Sequence, residues 1–184
     1  MKSSSLQVLP AAIILKMKGG KAMYRTTLPS PVGRLYLTSN GTALTGLWME
    51  EQKYFPHERW TSAKEEPSLV VFRQTESWLT AYFSGDDLPT LPPLDPDGTV
   101  FRRTVWELLL ELPWGETATY GMLTQKLRAK GIPAAPQAVG GAVGHNPISI
   151  LIPCHRVLGA DGSLTGYAGG LERKRFLLKL EGIL

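Results

Sequence analysis

Hydrophobic and polar residues alternate over the first part of the chain. From about 23 to 50 this alternation is interrupted by turn residues at 31–33 and 40–41. A period of two residues between such turns predicts a small antiparallel sheet. The next apolar residues, from Leu69 to Tyr82, recur at three- and four-residue steps. Their spacing predicts a helix that ends at Gly85.

The second half of the chain has a mainly helical pattern. Four prolines between 86 and 98 indicate a linker that separates the two halves. The apolar spacing beyond it predicts helices, one strand and a glycine-rich loop. The helices are expected at about 99–112, 119–131, 134–146 and 171–184, the strand at 148–153 and the loop at 159–170. This pattern indicates the α+β class, with an N-terminal domain at 23–95 and a C-terminal domain at 96–184.

Residues 1–22 differ from the rest of the chain. Lys2 precedes the apolar run LQVLPAAIIL, as in a weak secretion signal, but Pro10 interrupts that run and three lysines follow it. We therefore expect an extension or disordered tail. No apolar stretch approaches the roughly 18 uncharged residues that a bilayer requires, so a membrane protein is not expected.

The cysteine count limits the chemistry. Cys154 is the only cysteine of the chain, which excludes an intramolecular disulfide and a cysteine-based zinc cluster. The three histidines, His57, His145 and His155, have no metal-ligand spacing. A reducing, cytoplasmic setting is expected, with neither metal nor cofactor.

The positive charge is placed unevenly. The net charge is +4, and residues 1–100 carry ten basic and ten acidic side chains, whereas residues 101–184 carry ten and six. The whole excess lies in the second half, which is where a polyanion is expected to bind.

The helices expected at 119–131 and 134–146 have the layout of a helix-turn-helix, in which the second helix enters a DNA groove. Here the second helix presents Ala135, Ala138 and Gly141, which cannot read base edges. The minor groove is about 6 Å wide and a dressed helix about 10 to 12 Å across, so a nearly bare helix suits it. The small residues of this helix therefore allow two interpretations: DNA binding without sequence choice, or tight packing of the helix inside the protein.

Cys154 also allows two readings, because a lone cysteine is often a small buried core residue. Pro153 stiffens the backbone before it, and His155 could make a thiolate available at neutral pH. Glu181 follows at the end of the last expected helix, where a carboxylate faces the negative end of the helix dipole. Pairing with His155 would offset this cost and orient the imidazole.

The segments NPISILIPCHRV, TGYAGG and LLKLEG together resemble the methylated-DNA-protein-cysteine methyltransferases, the O6-alkylguanine DNA repair proteins. The resemblance is almost continuous over 97–184, and the part from Met23 fits the family's sheet-bearing domain. It implies a small ribonuclease-H-like N-terminal domain and a winged-helix-like C-terminal domain that contains the helix-turn-helix. It also implies direct reversal: Cys154 takes the alkyl group from O6-methylguanine, or from O4-methylthymine, after the base is flipped, and is not regenerated.

The resemblance assigns a role to each matching residue. Glu181, His155 and a water are expected to deprotonate Cys154, while Lys174 assists the leaving group. Tyr120 is expected to rotate the nucleotide and bind the base, and Asn146 joins the DNA-binding helix to the active-site turn. The substrate pocket is expected to be lined by Tyr167, Ala168, Gly169 and Val143, and the DNA surface by Thr119, Tyr120, Arg128, Ala135, Gln137, Ala138 and Gly141.

One residue departs from the family pattern. The family usually has an arginine before the AVG of the second helix, inserted where the flipped base was stacked, and this chain has Gln137. Glutamine has no charge and a smaller plane for stacking. Weaker extrusion is expected unless Arg128 or Lys130, from a turn about three residues longer than usual, takes over.

The expected partner is double-stranded DNA, bound without sequence choice in the minor groove by a monomer, with cooperativity along the DNA left open. A protein that flips alkylated guanine and only marks it is the alternative, but relatives of that kind lack the cysteine. A cysteine hydrolase would need an oxyanion-hole signature, and none follows Cys154.

Overall fold

The computed structural model describes residues 23–184, so the predictions for the segment 1–22 lie outside the described residues. Its elements fall into a sheet-bearing N-terminal part and a helical C-terminal part. They are, in chain order, β1 (Tyr24–Leu28), β2 (Leu35–Ser39), β3 (Leu44–Met49), α1 (His57–Ser62), β4 (Lys64–Glu65), α2 (Val70–Ser84), α3 (Val100–Leu110), β5 (Ala118–Thr119), α4 (Tyr120–Ala129), α5 (Pro136–Gly144), a 3-10 helix (Cys154–Arg156), β6 (Val157–Leu158) and α6 (Leu171–Leu180).

The predicted sheet is confirmed. Its strand order is β3-β2-β1-β4, with β1, β2 and β3 antiparallel and the two-residue β4 parallel to β1. Gly33 and Gly41, in the two turns, have φ angles of 99° and 98°, which glycine adopts without strain. Helix α2 ends as expected, with Gly85 as a left-handed C-cap.

The proline-rich segment expected as a linker lies against the sheet. Leu94 pairs with Leu44 in a parallel bridge, and the backbone N–H of Asp95 donates to the Leu44 carbonyl at 2.8 Å. Leu94 is buried. The segment therefore extends the N-terminal sheet at its β3 edge instead of crossing open solvent.

The helices of the C-terminal part are also confirmed. Helix α3 packs across α5, and the Trp106 indole N–H donates to the Ala142 carbonyl at 2.9 Å. Such a direct bond to a helix backbone requires a small residue at the crossing, because a larger side chain would hold the indole away. The α+β class is confirmed.

The prediction of a strand at 148–153 is wrong. Apart from a single bridge at Ile148, this segment forms turns that lead into the 3-10 helix at Cys154. Ile150 has φ of 70°, a left-handed conformation that an extended strand does not contain. The apolar run is buried because it passes through the core between the two parts of the chain, and burial alone does not distinguish a strand from such a turn.

This buried turn connects the two parts. Ile148 forms a parallel bridge with Leu47 of β3. The Leu47 N–H donates to the Pro147 carbonyl, and the Leu47 carbonyl accepts from the Ser149 N–H. The Ser149 hydroxyl also donates to the Gln52 carboxamide at 3.0 Å. The sheet thus holds the backbone that leads to Cys154. Within residues 23–184, no helix is long and apolar enough to cross a membrane.

Candidate active site

Cys154 opens the 3-10 helix and is only 6% exposed. Its sulfur faces Asn146, whose side-chain N–H group donates to Sγ at 3.1 Å. The turn at 148–153 fixes the position of the sulfur, because the same Asn146 carboxamide also binds the backbone of that turn. Its Nδ2 donates to the carbonyls of Ile152 and Ile148 at 2.9 and 3.2 Å, and its Oδ1 accepts from the Ile148 N–H at 3.0 Å.

Burial raises the pKa of the Cys154 thiol to about 11. The hydrogen bond from Asn146 and the nearby charge of Lys174 act in the opposite direction but do not overcome the loss of hydration. The sulfur is therefore a protonated thiol at neutral pH. A thiol reacts as its thiolate, so this site needs a base to remove the proton.

His155 is fully buried beside the cysteine and contacts Glu181, with 2.7 Å between Nε2 and Oε1. The pairing that the sequence suggested is thus present. Burial lowers the pKa of His155, so the imidazole is neutral at neutral pH. Because the carboxylate only accepts, Nε2 carries the proton and Nδ1 keeps a lone pair. Nδ1 is buried and has no hydrogen-bond partner among the described residues.

Glu181 is the C-cap of α6, and its carboxylate is held by three residues. Arg156 donates to both oxygens, at 2.6 Å to Oε2 and 3.0 Å to Oε1, and the Tyr82 hydroxyl donates to Oε1 at 2.7 Å. Burial opposes ionisation, but the hydrogen bonds from His155 and Arg156 outweigh it and lower the pKa of Glu181 to about 2. The carboxylate therefore stays ionised and orients the imidazole.

Sequence reasoning missed Tyr82 and Arg156 as members of this cluster. Arg156 adjoins His155 in the chain, and a buried carboxylate normally requires a cationic partner, which was an available signal. Tyr82 gave no such signal, because it lies at a core position of α2 and its hydroxyl meets Glu181 across a separation of 99 residues.

Lys174 is fully buried, and it binds one carbonyl just before the glycine-rich loop and one within it. Its Nζ donates to the Val157 carbonyl at 2.6 Å and to the Thr165 carbonyl at 2.7 Å. Burial lowers the pKa of Lys174 to about 8. The Lys174 ammonium therefore holds the loop backbone in place and puts a positive charge near the Cys154 sulfur.

The loop residues expected to line the pocket lie together. The Ala168 carbonyl accepts from the Lys53 N–H at 3.0 Å, which joins the loop to the segment after β3. Gly169 packs under the Tyr167 ring, where an added Cβ would come within 2.8 Å of the ring. The Tyr167 hydroxyl oxygen is buried and has no partner among the described residues.

Helix α5 has an exposed face and a buried face. The expected DNA residues Ala135, Gln137, Ala138 and Gly141 are exposed, whereas Val143, expected to line the substrate pocket, is buried in the core. An added Cβ at Gly141 would meet no atom within 4 Å, and at Gly140 only the Tyr120 ring at 3.8 Å. Internal packing therefore does not explain why positions 140 and 141 of α5 are glycines without side chains.

Helix α4 supplies the remaining expected residues. Thr119 is its N-cap and accepts from the Met122 N–H at 3.1 Å, and Tyr120, half-buried, lies against α5. The Arg128 Nε donates to the Ala134 carbonyl at 3.0 Å, which brings its guanidinium to the start of α5. Lys130 instead points to Glu111 at 3.3 Å. Among residues 23–184, no group of three or more His, Cys, Asp and Glu side chains could hold a metal ion.

The fold and the site together define a class of protein: a helix-turn-helix with a bare second helix, followed by a buried thiol beside a neutral, carboxylate-oriented imidazole. Residues 23–96 match the family described as the ribonuclease-like domain of 6-O-methylguanine DNA methyltransferase. Residues 100–183 match the DNA binding domain of the same enzyme. The chain belongs to the 6-O-methylguanine DNA methyltransferase family.

Individual relatives agree with the family assignment. The methylated-DNA–protein-cysteine methyltransferase of Haemophilus influenzae is 47% identical over 163 residues, which cover 88% of each chain. A crystal structure of Mycobacterium tuberculosis OGT in complex with DNA is 45% identical, with a TM-score of 0.78 over 86% of this chain and 93% of that one. The O6-methylguanine methyltransferase of the same organism gives a TM-score of 0.76 over 86% and 92%.

Proposed function

We propose that this protein repairs DNA by direct reversal, by taking the alkyl group from O6 of guanine onto Cys154. The observation that carries the proposal is the arrangement of a buried thiol, the adjacent neutral His155 and the ionised Glu181. Family membership supplies the substrate class, because the H. influenzae relative is named a methylated-DNA–protein-cysteine methyltransferase.

The reaction is a displacement at a methyl carbon. His155 accepts the thiol proton at Nδ1, directly or through a water, and Glu181 stabilises the imidazolium that forms. The Cys154 thiolate attacks the methyl carbon, so that an S–C bond forms while the C–O6 bond breaks and its electron pair returns to the guanine ring. The proton that His155 took from the thiol passes through solvent to the ring nitrogen, and guanine leaves as a neutral base. Asn146 and Lys174 stabilise the thiolate before attack.

The product is a thioether, from which the Cys154 thiolate is a far poorer leaving group than guanine is from O6-methylguanine. Cys154 is the chain's only cysteine, so no second thiol can resolve the adduct. We therefore propose one turnover per molecule, without metal or cofactor.

The bare face of α5 supports binding in the minor groove without sequence choice. Ala135, Ala138 and Gly141 are exposed and too small to read base edges. A stacked guanine presents O6 in the major groove, so the base must be flipped to reach a thiol behind this helix. Tyr120 is the first residue of α4, and its ring lies beside Gly140 of α5, which supports a role in the rotation. We propose that Tyr167, Ala168 and Gly169 receive the base. We propose a monomer that works in the cytoplasm, where a free thiol stays reduced.

Mass spectrometry after incubation with a duplex containing O6-methylguanine tests the function. The expected result is a stable gain of one methyl on the peptide that contains Cys154, stoichiometric with protein, and no gain with the unmodified duplex. A protein that binds the lesion and remains unmodified would overturn the proposal in favour of a flipping protein that marks damage. Catalytic turnover beyond one methyl per chain would also contradict it.

Gln137→Arg should raise the transfer rate from duplex DNA by about two- to tenfold, because a guanidinium stacks over bases better than a carboxamide. Gln137 is exposed near the start of α5, so the longer side chain meets no packing barrier. Single-turnover rates on duplex DNA measure the effect. The free O6-methylguanine base, which needs no extrusion, should react equally with both chains.

Arg128 provides the comparison for this substitution. Its guanidinium already lies at the start of α5. No gain from Gln137→Arg, together with a strong loss from Arg128→Ala on duplex DNA only, would show that Arg128 fills the space of the flipped base. Lys126→Ala is the matched control, because it removes a positive charge from the same helix at a side chain that faces Glu111.

Alkylation of Cys154 should lower the melting temperature. Cys154 is 6% exposed and its sulfur accepts from Asn146 at 3.1 Å, so an added methyl group has little room on that side. Overpacking in a core typically costs about 1 to 3 kcal/mol. Differential scanning fluorimetry before and after reaction measures the change, with protein treated with unmodified duplex as control. An unchanged melting temperature would show that the site already has space for the methyl group.

A further inference from the structure

We infer that Tyr82, from the N-terminal part of the chain, is a positioning residue that fixes the proton arrangement of the His155–Glu181 pair. Its hydroxyl donates to the same Glu181 oxygen that accepts from His155, at 2.7 Å in each case. This inference rests on the proposed function, in which Nδ1 of His155 is the base. It gives the N-terminal part a role in the chemistry beyond support of the fold.

The direction of the Tyr82 hydrogen bond is set by burial and charge. Tyr82 is 0% exposed, and burial together with the adjacent Glu181 carboxylate raises its pKa far above the usual range. The hydroxyl therefore keeps its proton and donates it. Glu181 Oε1 is then shared by the Tyr82 hydroxyl, the His155 imidazole and Arg156 Nη2.

The shared acceptor determines the histidine tautomer. Tyr82 Oη lies 3.4 Å from His155 Nε2, a contact that would let the hydroxyl donate to Nε2 if that nitrogen had no proton. With the hydroxyl directed to Glu181, Nε2 keeps its proton and also donates to Glu181. The lone pair is then on Nδ1, the nitrogen with no partner among the described residues.

Tyr82 also weakens the field that Glu181 exerts on the imidazole. Each donor to Oε1 disperses the carboxylate charge and so reduces its stabilisation of an imidazolium. Tyr82 and His155 face each other at 3.4 Å. The other charged and titratable groups facing His155 are Glu181, Arg156 and Lys174, and those facing Tyr82 are Glu181, Arg156 and Tyr167. Tyr82 is, like His155, an uncharged donor in direct contact with the carboxylate, and removal of its hydroxyl leaves the formal charges of the cluster unchanged.

The position of Tyr82 is rigid. Its ring stacks on Trp78, with 5.3 Å between centroids and 14° between planes, and meets Trp114 edge-on at 5.2 Å. A phenylalanine preserves these ring contacts and removes only the hydroxyl. Tyr82→Phe is therefore a suitable test variant.

The experiment compares the pH dependence of single-turnover methyl transfer in the wild-type chain and in Tyr82→Phe. In the variant the Glu181 charge is less dispersed, so the imidazolium is more stable and His155 loses its base function at higher pH. The acidic limb of the profile should move upward by roughly half a pH unit or more. Lesion affinity should be unchanged, because Tyr82 is fully buried and offers no surface to DNA. A limb that stays in place would overturn the inference.

Trp78→Phe is the matched control. Trp78 lies one turn earlier on α2, packs against Tyr82, and makes no hydrogen bond to Glu181. It should lower the melting temperature and leave the acidic limb in place. An equal shift of the acidic limb in Tyr82→Phe and Trp78→Phe would show that Tyr82 acts only through packing, which would overturn the inference.

Nitrogen-15 NMR of the histidines gives a second readout that needs no methyl transfer. His155 is the fully buried one of the three histidines, and its signals should show a proton on Nε2 in the wild type. In Tyr82→Phe its titration should move to higher pH. A His155 titration that does not move in Tyr82→Phe would overturn the inference even with active protein. Failure of the wild type to accept a methyl group would instead overturn the proposed function, and the NMR comparison would still decide the role of Tyr82.

Discussion

Cys154→Ser should abolish methyl transfer while leaving lesion binding intact. A serine hydroxyl is far less acidic than a thiol, and His155, whose pKa burial lowers, is too weak a base to ionise it. Oxygen is also a poorer nucleophile toward a methyl carbon. The hydroxyl is smaller than the thiol and can accept from Asn146 as the sulfur does, so the fold should be preserved. The expected result is no detectable adduct by mass spectrometry after a time in which the wild type reacts completely.

The same variant should bind the lesion and hold it. Because no transfer occurs, an O6-methylguanine duplex should give a long-lived complex with the variant, while the wild type releases repaired DNA. Gel-shift and competition measurements with unmodified duplex check this. Transfer to Cys154→Ser would show that another nucleophile accepts the methyl group, which would refute the assignment of Cys154.

Most elements of the fold could be predicted from residue spacing. The turns at Gly33 and Gly41, the helix that ends at Gly85 and the four C-terminal helices each follow from a local pattern. The segment 148–153 could not be predicted, because a buried apolar run has the same composition whether it is a strand or a turn. The side chain of Asn146, which binds backbone groups at Ile148 and Ile152, selects the turn.

The site could be predicted only in part for a related reason. Cys154 and His155 adjoin in the chain, and Glu181 was suggested by its unfavourable position at the end of a helix. Tyr82 reaches Glu181 from the N-terminal part, and that contact depends on how the two parts pack. The positions of Arg128 at the start of α5 and of Lys174 under the loop depend likewise on the tertiary arrangement.

Glu181→Gln should reduce the rate of methyl transfer by about 10³- to 10⁴-fold, the scale found when an orienting carboxylate becomes an amide in a catalytic triad. A carboxylate only accepts, which keeps the proton of His155 on Nε2. The glutamine amide can donate to Nε2, which moves the imidazole proton to Nδ1 and removes the base. Single-turnover kinetics measure the loss. Glu172→Gln, at an exposed position in the first turn of α6, is the matched control and should react at the wild-type rate.

The substitution should also destabilise the fold, because Arg156 would lose its buried anionic partner. Breaking a buried ion pair typically costs about 3 to 5 kcal/mol. The pKa of Glu181 is about 2 in the folded chain, below the ordinary value near 4.5, so the carboxylate's contribution is complete above pH 4.5 and is lost as the pH falls toward 2. The stability difference between wild type and Glu181→Gln should therefore be largest at neutral pH and shrink in acid. Denaturant unfolding from neutral pH to pH 3 measures it, and a difference that is constant over this range would show that Glu181 is not held as an ion in the folded protein.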